Sequence, residues 1–250
     1  METMHHTTRR DLLGKNTQWR ISDLGVAKVR HDYPDDLLQT IKRRAQEVKE
    51  RESRKRHLDL RFIRDAQSLI PEINELVHWP GRMQALSEVA GTQLEHYPFS
   101  VANTVITFMG PEDGTVQWHC DGVPATELVA LEVADAAGGE LTVYAGDSDE
   151  GSEVTTSGGA LPEDRLVRLQ HEVGCSLVAQ LIRVLHRAEP MTSGSRITLN
   201  LGLRSIERPY IDDNSMYYLA ADNPSFDFVD QYIADVRERQ LPAYVAGHSA

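Results

Sequence analysis

The chain has 250 residues, is 40% hydrophobic and carries a formal net charge of −12. That length and apolar content suit one core of ordinary size, so a single domain over residues 1–250 is the expectation. A protein this acidic is a poor binder of nucleic acid or anionic membrane surfaces, no apolar run approaches a membrane span, and residues 1–13 lack the continuous apolar core of a secretory signal.

The charge is unevenly spread. All five lysines lie at or before Lys55, while residues 83–164 hold fifteen Asp and Glu and no Lys or Arg. Such a stretch is either solvated acidic surface or a field that favours a cation, whether a metal or an amine-bearing substrate. Cys120 and Cys175 are too few for a disulfide framework and form no CxxC pair. A reducing, cytoplasmic setting is the expectation.

Residues 1–33 read as mixed and irregular. Residues 35–63 read as helix, with Leu37, Leu38, Ile41, Ala45 and Val48 at helical spacing. Its basic stretch, residues 42–64, reads as a solvated face laced with i,i+4 pairs. A further helical region spans 73–90, broken by Pro80-Gly81. Near Gly91 the pattern changes to short apolar runs separated by turns. Strands are expected at 101–109, 116–120, 127–133, 140–144, 166–169, 176–185 and 196–203, with Gly138-Gly139 marking a turn. Residues 146–164 are polar and Gly-rich and read as a long surface loop. Helix returns at 226–239. The organisation is therefore a helical part (1–90), a β core (91–205) and a helical extension (206–250), and short strands broken by turns suggest a sandwich or barrel.

The chemistry centres on Trp118-His119-Cys120-Asp121-Gly122. In a strand, residues i and i+2 share a face, so His119 and Asp121 aim an imidazole and a carboxylate at one point. His186, at the end of an apolar run, is the candidate third ligand. Two His and one carboxylate leave three coordination positions open, which suits iron(II) with O2 and a chelating cosubstrate. Arg196 follows ten residues later in Gly194-Ser195-Arg196-Ile197-Thr198. An arginine near a metal grips a carboxylate through two parallel hydrogen bonds, and Thr198 shares its strand face. That pair matches the far carboxylate of 2-oxoglutarate.

With His119-Cys120-Asp121, Gly138-Gly139-Glu140-Leu141, His186-Arg187 and Gly194-Ser195-Arg196-Ile197-Thr198 in that order, residues 95–205 resemble the 2-oxoglutarate/Fe(II)-dependent dioxygenases. The resemblance implies a mainly β fold with flanking helices, the double-stranded β-helix (a cupin-like jelly roll). It implies Fe(II), 2-oxoglutarate and O2 as the chemical partners, with 2-oxoglutarate and O2 becoming succinate and carbon dioxide as a C–H bond is oxidised. It implies a small-molecule substrate such as an amino acid or related metabolite; a protein side chain as substrate and a non-catalytic binding module are the competing readings. In related enzymes a side-chain amide near the position of Asn103 steadies the metal-binding end of the cosubstrate. Halogenating relatives carry a small residue where Asp121 stands, so hydroxylation, desaturation or ring formation is favoured here.

Other residues have alternatives. Gln117 is either a partner of the ligands or an unrelated polar residue, and Trp118 points into the core. His96, His171 and Glu140 are rival ligands, with His171 expected to be exposed and Glu140 to face solvent or order the hairpin. Cys120 is expected to face away as a buried, inert thiol. Asn200 shares parity with Arg196 and is the better pocket candidate; Arg183, Tyr144 and Arg204 are weaker ones.

Overall fold

Period-two alternation along two long strands sets the architecture of the computed structural model, which describes residues 1–14, 17–55, 60–223 and 225–248. The chain opens with β1 (Glu2–Thr8), α1 (Arg9–Leu13), β2 (Leu24–Arg30) and α2 (Asp35–Glu52). Strands β3 (Arg54–Lys55) and β4 (Arg61–Arg64) precede α3 (Ala66–Leu69), α4 (Glu72–Val77) and α5 (Arg82–Ala90). Then come β5 (Leu94–His96), α6 (Ser100–Asn103), β6 (Thr104–Met109), β7 (Ala125–Ala137), β8 (Leu141–Tyr144), α7 (Ser148–Thr156), β9 (Leu166–Leu169), β10 (Cys175–Ala179), β11 (His186–Ala188) and β12 (Ser193–Ser205). Helices α8 (Met216–Asp222), α9 (Val229–Asp235) and α10 (Leu241–His248) close it.

Nine strands form an antiparallel sheet in the order β1-β2-β10-β7-β12-β6-β4-β3, with β5 added on β12. A smaller sheet, β11-β8-β9, faces it. Register fixes which side chains share a face. Arg64, Val105, Asn200 and Leu128 pair in one row across β4, β6, β12 and β7, and Phe62, Thr107 and Thr198 pair in the next. These side chains line the cavity between the sheets. Their odd-phase neighbours Ile63, Ile106, Phe108, Leu199 and Leu201 point the other way, into a core shared with α2 to α4. The sheet thus turns a functional face inward and buries its outer face under helices.

Helix α2 buries Leu37, Leu38, Ile41 and Ala45 along one stripe. Asp35 and Asp36 in its first turn, and Lys49 and Arg51 in its last, suit the helix dipole. Its exposed basic side carries ion pairs such as Arg43–Glu47 at 2.6 Å. The helix ends at Glu52 rather than near 63, because Arg61–Arg64 pairs with β6 and alternation places Phe62 inward and Ile63 outward. The remainder of that expected helix, at 56–59, lies outside the described residues.

Four other expectations are corrected. Residues 1–33 contribute β1 and β2 to the large sheet, so the first 90 residues are not a purely helical part. The 146–164 stretch contains α7, started by Asp147, whose carboxylate accepts from the amides of Asp149 and Glu150. Residues 116–121 make isolated bridges, not a regular strand. Strand β10 stops at Ala179, and the chain turns before β11. No helix among the described residues is long and apolar enough to cross a membrane.

Candidate active site

The turn between β10 and β11 and the bridge segment 116–121 bring three side chains together. His119 and His186 exchange backbone hydrogen bonds, each at 2.9 Å, and the amide of Asp121 donates to the Leu181 carbonyl at 3.2 Å. Ligand-capable atoms of His119, Asp121 and His186 all lie within 4.8 Å of one another. Both imidazole Nε2 atoms stand 3.5 Å from Asp121 Oδ1. Ligands about 2.1 Å from an ion and at right angles to one another sit about 3 Å apart, so the set needs little closing to hold one.

The two histidines are prepared in the same way. His119 Nδ1 lies 2.8 Å from the Gln117 carbonyl, and His186 Nδ1 lies 2.9 Å from the Val184 carbonyl. A carbonyl only accepts, so each Nδ1 carries a proton and each Nε2 is the atom turned to the common point, where a metal would take its lone pair. Burial pushes the Asp121 carboxyl up, but His186 and His119 outweigh it and hold the group well below the usual carboxylate range. Burial pulls the His119 imidazole down, but the Asp121 carboxylate outweighs it and raises the group, so a proton and a metal compete for this point. One carboxylate and two imidazoles facing each other form a donor set that fits a divalent first-row metal.

Arg196 lies on the inward face of β12, 6% exposed, with Thr198 one row away at 1%. Its Nη1 donates to the Gly139 carbonyl. Its Nε and the Thr198 hydroxyl are buried with no hydrogen-bond partner. Burial pulls the guanidinium down to about 10, and Glu140 opposes that shift. A desolvated cation beside an unpartnered hydroxyl suits a carboxylate, which offers lone pairs to both. Gly139 takes the left-handed backbone, φ +80°, that presents its carbonyl to Arg196, and a Cβ there would crowd the Met191 side chain at 3.1–3.2 Å.

Neither a protein-family model nor a curated protein sequence matches the chain. Solved structures do resemble it. The non-heme α-ketoglutarate-dependent carbocyclase SnoK from nogalamycin biosynthesis has 18% identity and a TM-score of 0.55, over 73% of this chain and 80% of that one. The epimerase SnoN, solved with Fe3+, α-ketoglutarate and nogalamycin RO, has 15% identity and a TM-score of 0.55 over 73% and 80%. HygX from Streptomyces hygroscopicus, solved with nickel, 2-oxoglutarate and hygromycin B, has 12% identity and a TM-score of 0.54 over 72% and 83%. The shared fold is the double-stranded β-helix.

Within that fold the remaining expectations divide. Asn200 lines the cavity, as parity predicts. Asn103 does not; it ends α6, and its side-chain oxygen is buried without a partner. A helical turn stands where the strand was expected to begin. Gln117 serves through its carbonyl. Trp118 packs against the cluster of Tyr144, Leu161 and Leu185, with the Arg187 guanidinium 4.7 Å from its ring centre. Cys120 is exposed at the cavity rim rather than buried. Partial desolvation, then Asp121, push its thiol up to about 12, so it stays protonated. Arg183 turns outward onto Asp213 and Trp19, and Tyr144 is core. Arg204 is held by Asp235 and Glu95. His96 lies against Arg82, away from the ligands. Glu140 pairs through its backbone with Glu189, ordering the hairpin.

His171 is the residue that sequence reasoning misplaced. It lines the cavity instead of facing solvent. Burial, then the charge of Arg196, push its imidazole well below its ordinary range, so it is neutral. Its run, Gln170-His171-Glu172, carries no apolar pattern; only the fold-over of the loop between β9 and β10 brings it inward.

Proposed function

We propose that this protein is an Fe(II)- and 2-oxoglutarate-dependent oxygenase that oxidises a small polar metabolite, such as an amino acid or a derivative. The observation that carries this reading is one cavity holding two complementary sites. At one, His119, Asp121 and His186 converge with both Nε2 atoms presented; at the other, Arg196 and Thr198 keep buried donors without partners.

On this reading, His119, Asp121 and His186 hold the metal, which when bound supplies the redox chemistry of C–H oxidation. Arg196 and Thr198 grip the far carboxylate of 2-oxoglutarate and so orient its keto-acid end toward the triad. His171 lines the same cavity and stays neutral, so it adds no second positive charge to repel the buried Arg196. The apolar walls, including Phe62, Leu128 and Val116, exclude bulk water, while Asn200, Thr126 and Asn214 supply hydrogen-bonding groups for a polar substrate. Because Asp121 fills the carboxylate position, the reaction favoured is hydroxylation or a related oxidation rather than halogenation. The unit that performs it is a single domain.

Anaerobic addition of Fe(II) and 2-oxoglutarate gives a weak visible charge-transfer band. Folded protein lacking that band refutes the chelate reading. His119→Ala abolishes 2-oxoglutarate-derived succinate; a variant with full turnover excludes His119 as a ligand.

A further inference from the structure

We propose that Arg9, far from the cavity in sequence, is a positioning residue that sets two of the three metal ligands through the turn at 180–184. The inference rests on the metal reading of His119, Asp121 and His186.

Arg9 is 1% exposed. Its Nη1 donates to the Gln180 carbonyl at 3.1 Å and its Nη2 to the Ile182 carbonyl at 2.8 Å. Longer contacts reach the Trp19 carbonyl at 3.5 Å and the Thr17 hydroxyl at 3.4 Å. None of these partners is a carboxylate. Burial, with Arg20 adding to it, pulls the guanidinium down to about 10. A buried cation satisfied only by neutral groups is costly, and an apolar side chain would fill the same space without that cost. What an apolar side chain lacks is a planar fork that spans the carbonyls of residues i and i+2.

Those carbonyls belong to the segment on which the ligands hang. Val184 donates to the Leu181 carbonyl at 3.1 Å, closing a turn in which Arg183 takes φ +52°. Left-handed backbone at a non-glycine residue is unfavourable, so outside contacts must hold the turn. Asp121 docks on it, bonding to Leu181 and bridging Ile182. His186 takes its tautomer from Val184 at its end. The residue at the start of the turn is equally fixed. Gln180 is fully buried; its Oε1 accepts from Ile21 at 2.7 Å and its Nε2 donates to the Leu24 carbonyl at 2.6 Å. Arg9 and residues 17–24 therefore clamp the turn from outside the barrel, and Arg9 grips the Gln180 and Ile182 carbonyls on either side of the Leu181 carbonyl to which Asp121 bonds.

The test measures Mn(II) affinity of the full-length metal-free protein by electron paramagnetic resonance, alongside thermal midpoints. Partners that orient ligands typically change metal affinity by about 10- to 100-fold, and Arg9→Met falls in that range. Arg9→Lys keeps the charge but not the fork, and weakens binding by about threefold or more. Arg82→Met is the control, since Arg82 is equally buried but pairs with Glu127 away from the cavity. It lowers the midpoint at least as much as Arg9→Met yet leaves the Mn(II) Kd within about twofold of wild type. If Arg9→Met does not fold, Arg9→Lys carries the test. A wild-type Kd in Arg9→Lys, or equal weakening in Arg82→Met, overturns the positioning role. Wild-type protein that binds no Mn(II) refutes the metal reading itself.

Discussion

At the residue scale, affinity for an anion and stability of the empty protein pull against each other. Arg196 is buried, desolvated and without a contacting carboxylate, and Thr198 has an unused hydroxyl. Replacing one member of a buried charge pair costs about 2–5 kcal/mol of binding. Arg196→Met therefore raises the Kd for 2-oxoglutarate by about two orders of magnitude, read by titration of the Ni(II) or Mn(II) form. The thermal midpoint of the ligand-free variant does not fall, because the cation removed had no counter-charge in contact. A variant with wild-type affinity excludes Arg196 as the carboxylate anchor. The same residues set how far the site was legible. His119, Asp121, Arg196, Thr198 and Asn200 were all read from period-two parity, and for the last three the reason holds, since β12 pairs with β6 in unbroken register from Arg196 to Leu201. His119 and Asp121 converge through bridge contacts to another segment, a different cause from the regular strand assumed. His171 and Arg9 had no such signal, because each acts through a loop or turn contacted across the fold.

At the scale of elements, β7 carries two functions on opposite faces. Leu128 lines the cavity, while its neighbour Glu127 points outward, fully buried. Glu127 accepts from Arg82 at 2.6 and 2.9 Å, from Tyr33 at 2.7 Å and from Ser176 at 2.9 Å. It ties α5 and the segment before α2 to the centre of the large sheet. Glu127→Gln leaves Arg82 buried without its counter-charge, and breaking a buried pair in this way costs about 3–5 kcal/mol. Urea unfolding measures the loss, and metal affinity stays at the wild-type value; a stability loss below about 1 kcal/mol contradicts the network's role. Elements were legible where pattern and pairing agreed, as in α2 and β12. They were not where pairing overrode pattern. Arg61–Arg64 continues a helical-looking run but is taken by β6, and β1 and β2 are strands because β10 offers an edge to β2. Register partners of that kind are invisible in a local window.

At the scale of the whole molecule, the fold holds several histidines neutral, and this makes stability depend on pH. Burial pulls His31 down, and burial together with Arg196 pulls His171 down. His96 is driven down to about 4, by burial and then by Arg82. Arg82 Nη1, 3.0 Å from His96 Nε2, donates to a neutral imidazole, while the Val77 carbonyl at 3.2 Å favours a proton on the same atom; burial and the Arg82 charge outweigh that carbonyl. For a group with a depressed folded pKa, the unfolded chain binds the proton first on acidification. Stability from His96 is therefore complete above about pH 6.5 and declines as pH falls toward 4. Asp212 acts oppositely: burial raises it to about 6, so its contribution is present in acid and lost as pH rises through that value. The wild-type profile mixes both, and only a difference isolates the histidine. His96→Gln keeps an acceptor for Arg82 but removes the titration. Between pH 7 and 4.5, wild type loses about 2 kcal/mol more unfolding free energy than His96→Gln, the linkage value for a shift of this size. Parallel profiles across that window mean that His96 takes up its proton at no cost to the fold, and that the Arg82 contact does not hold the imidazole neutral.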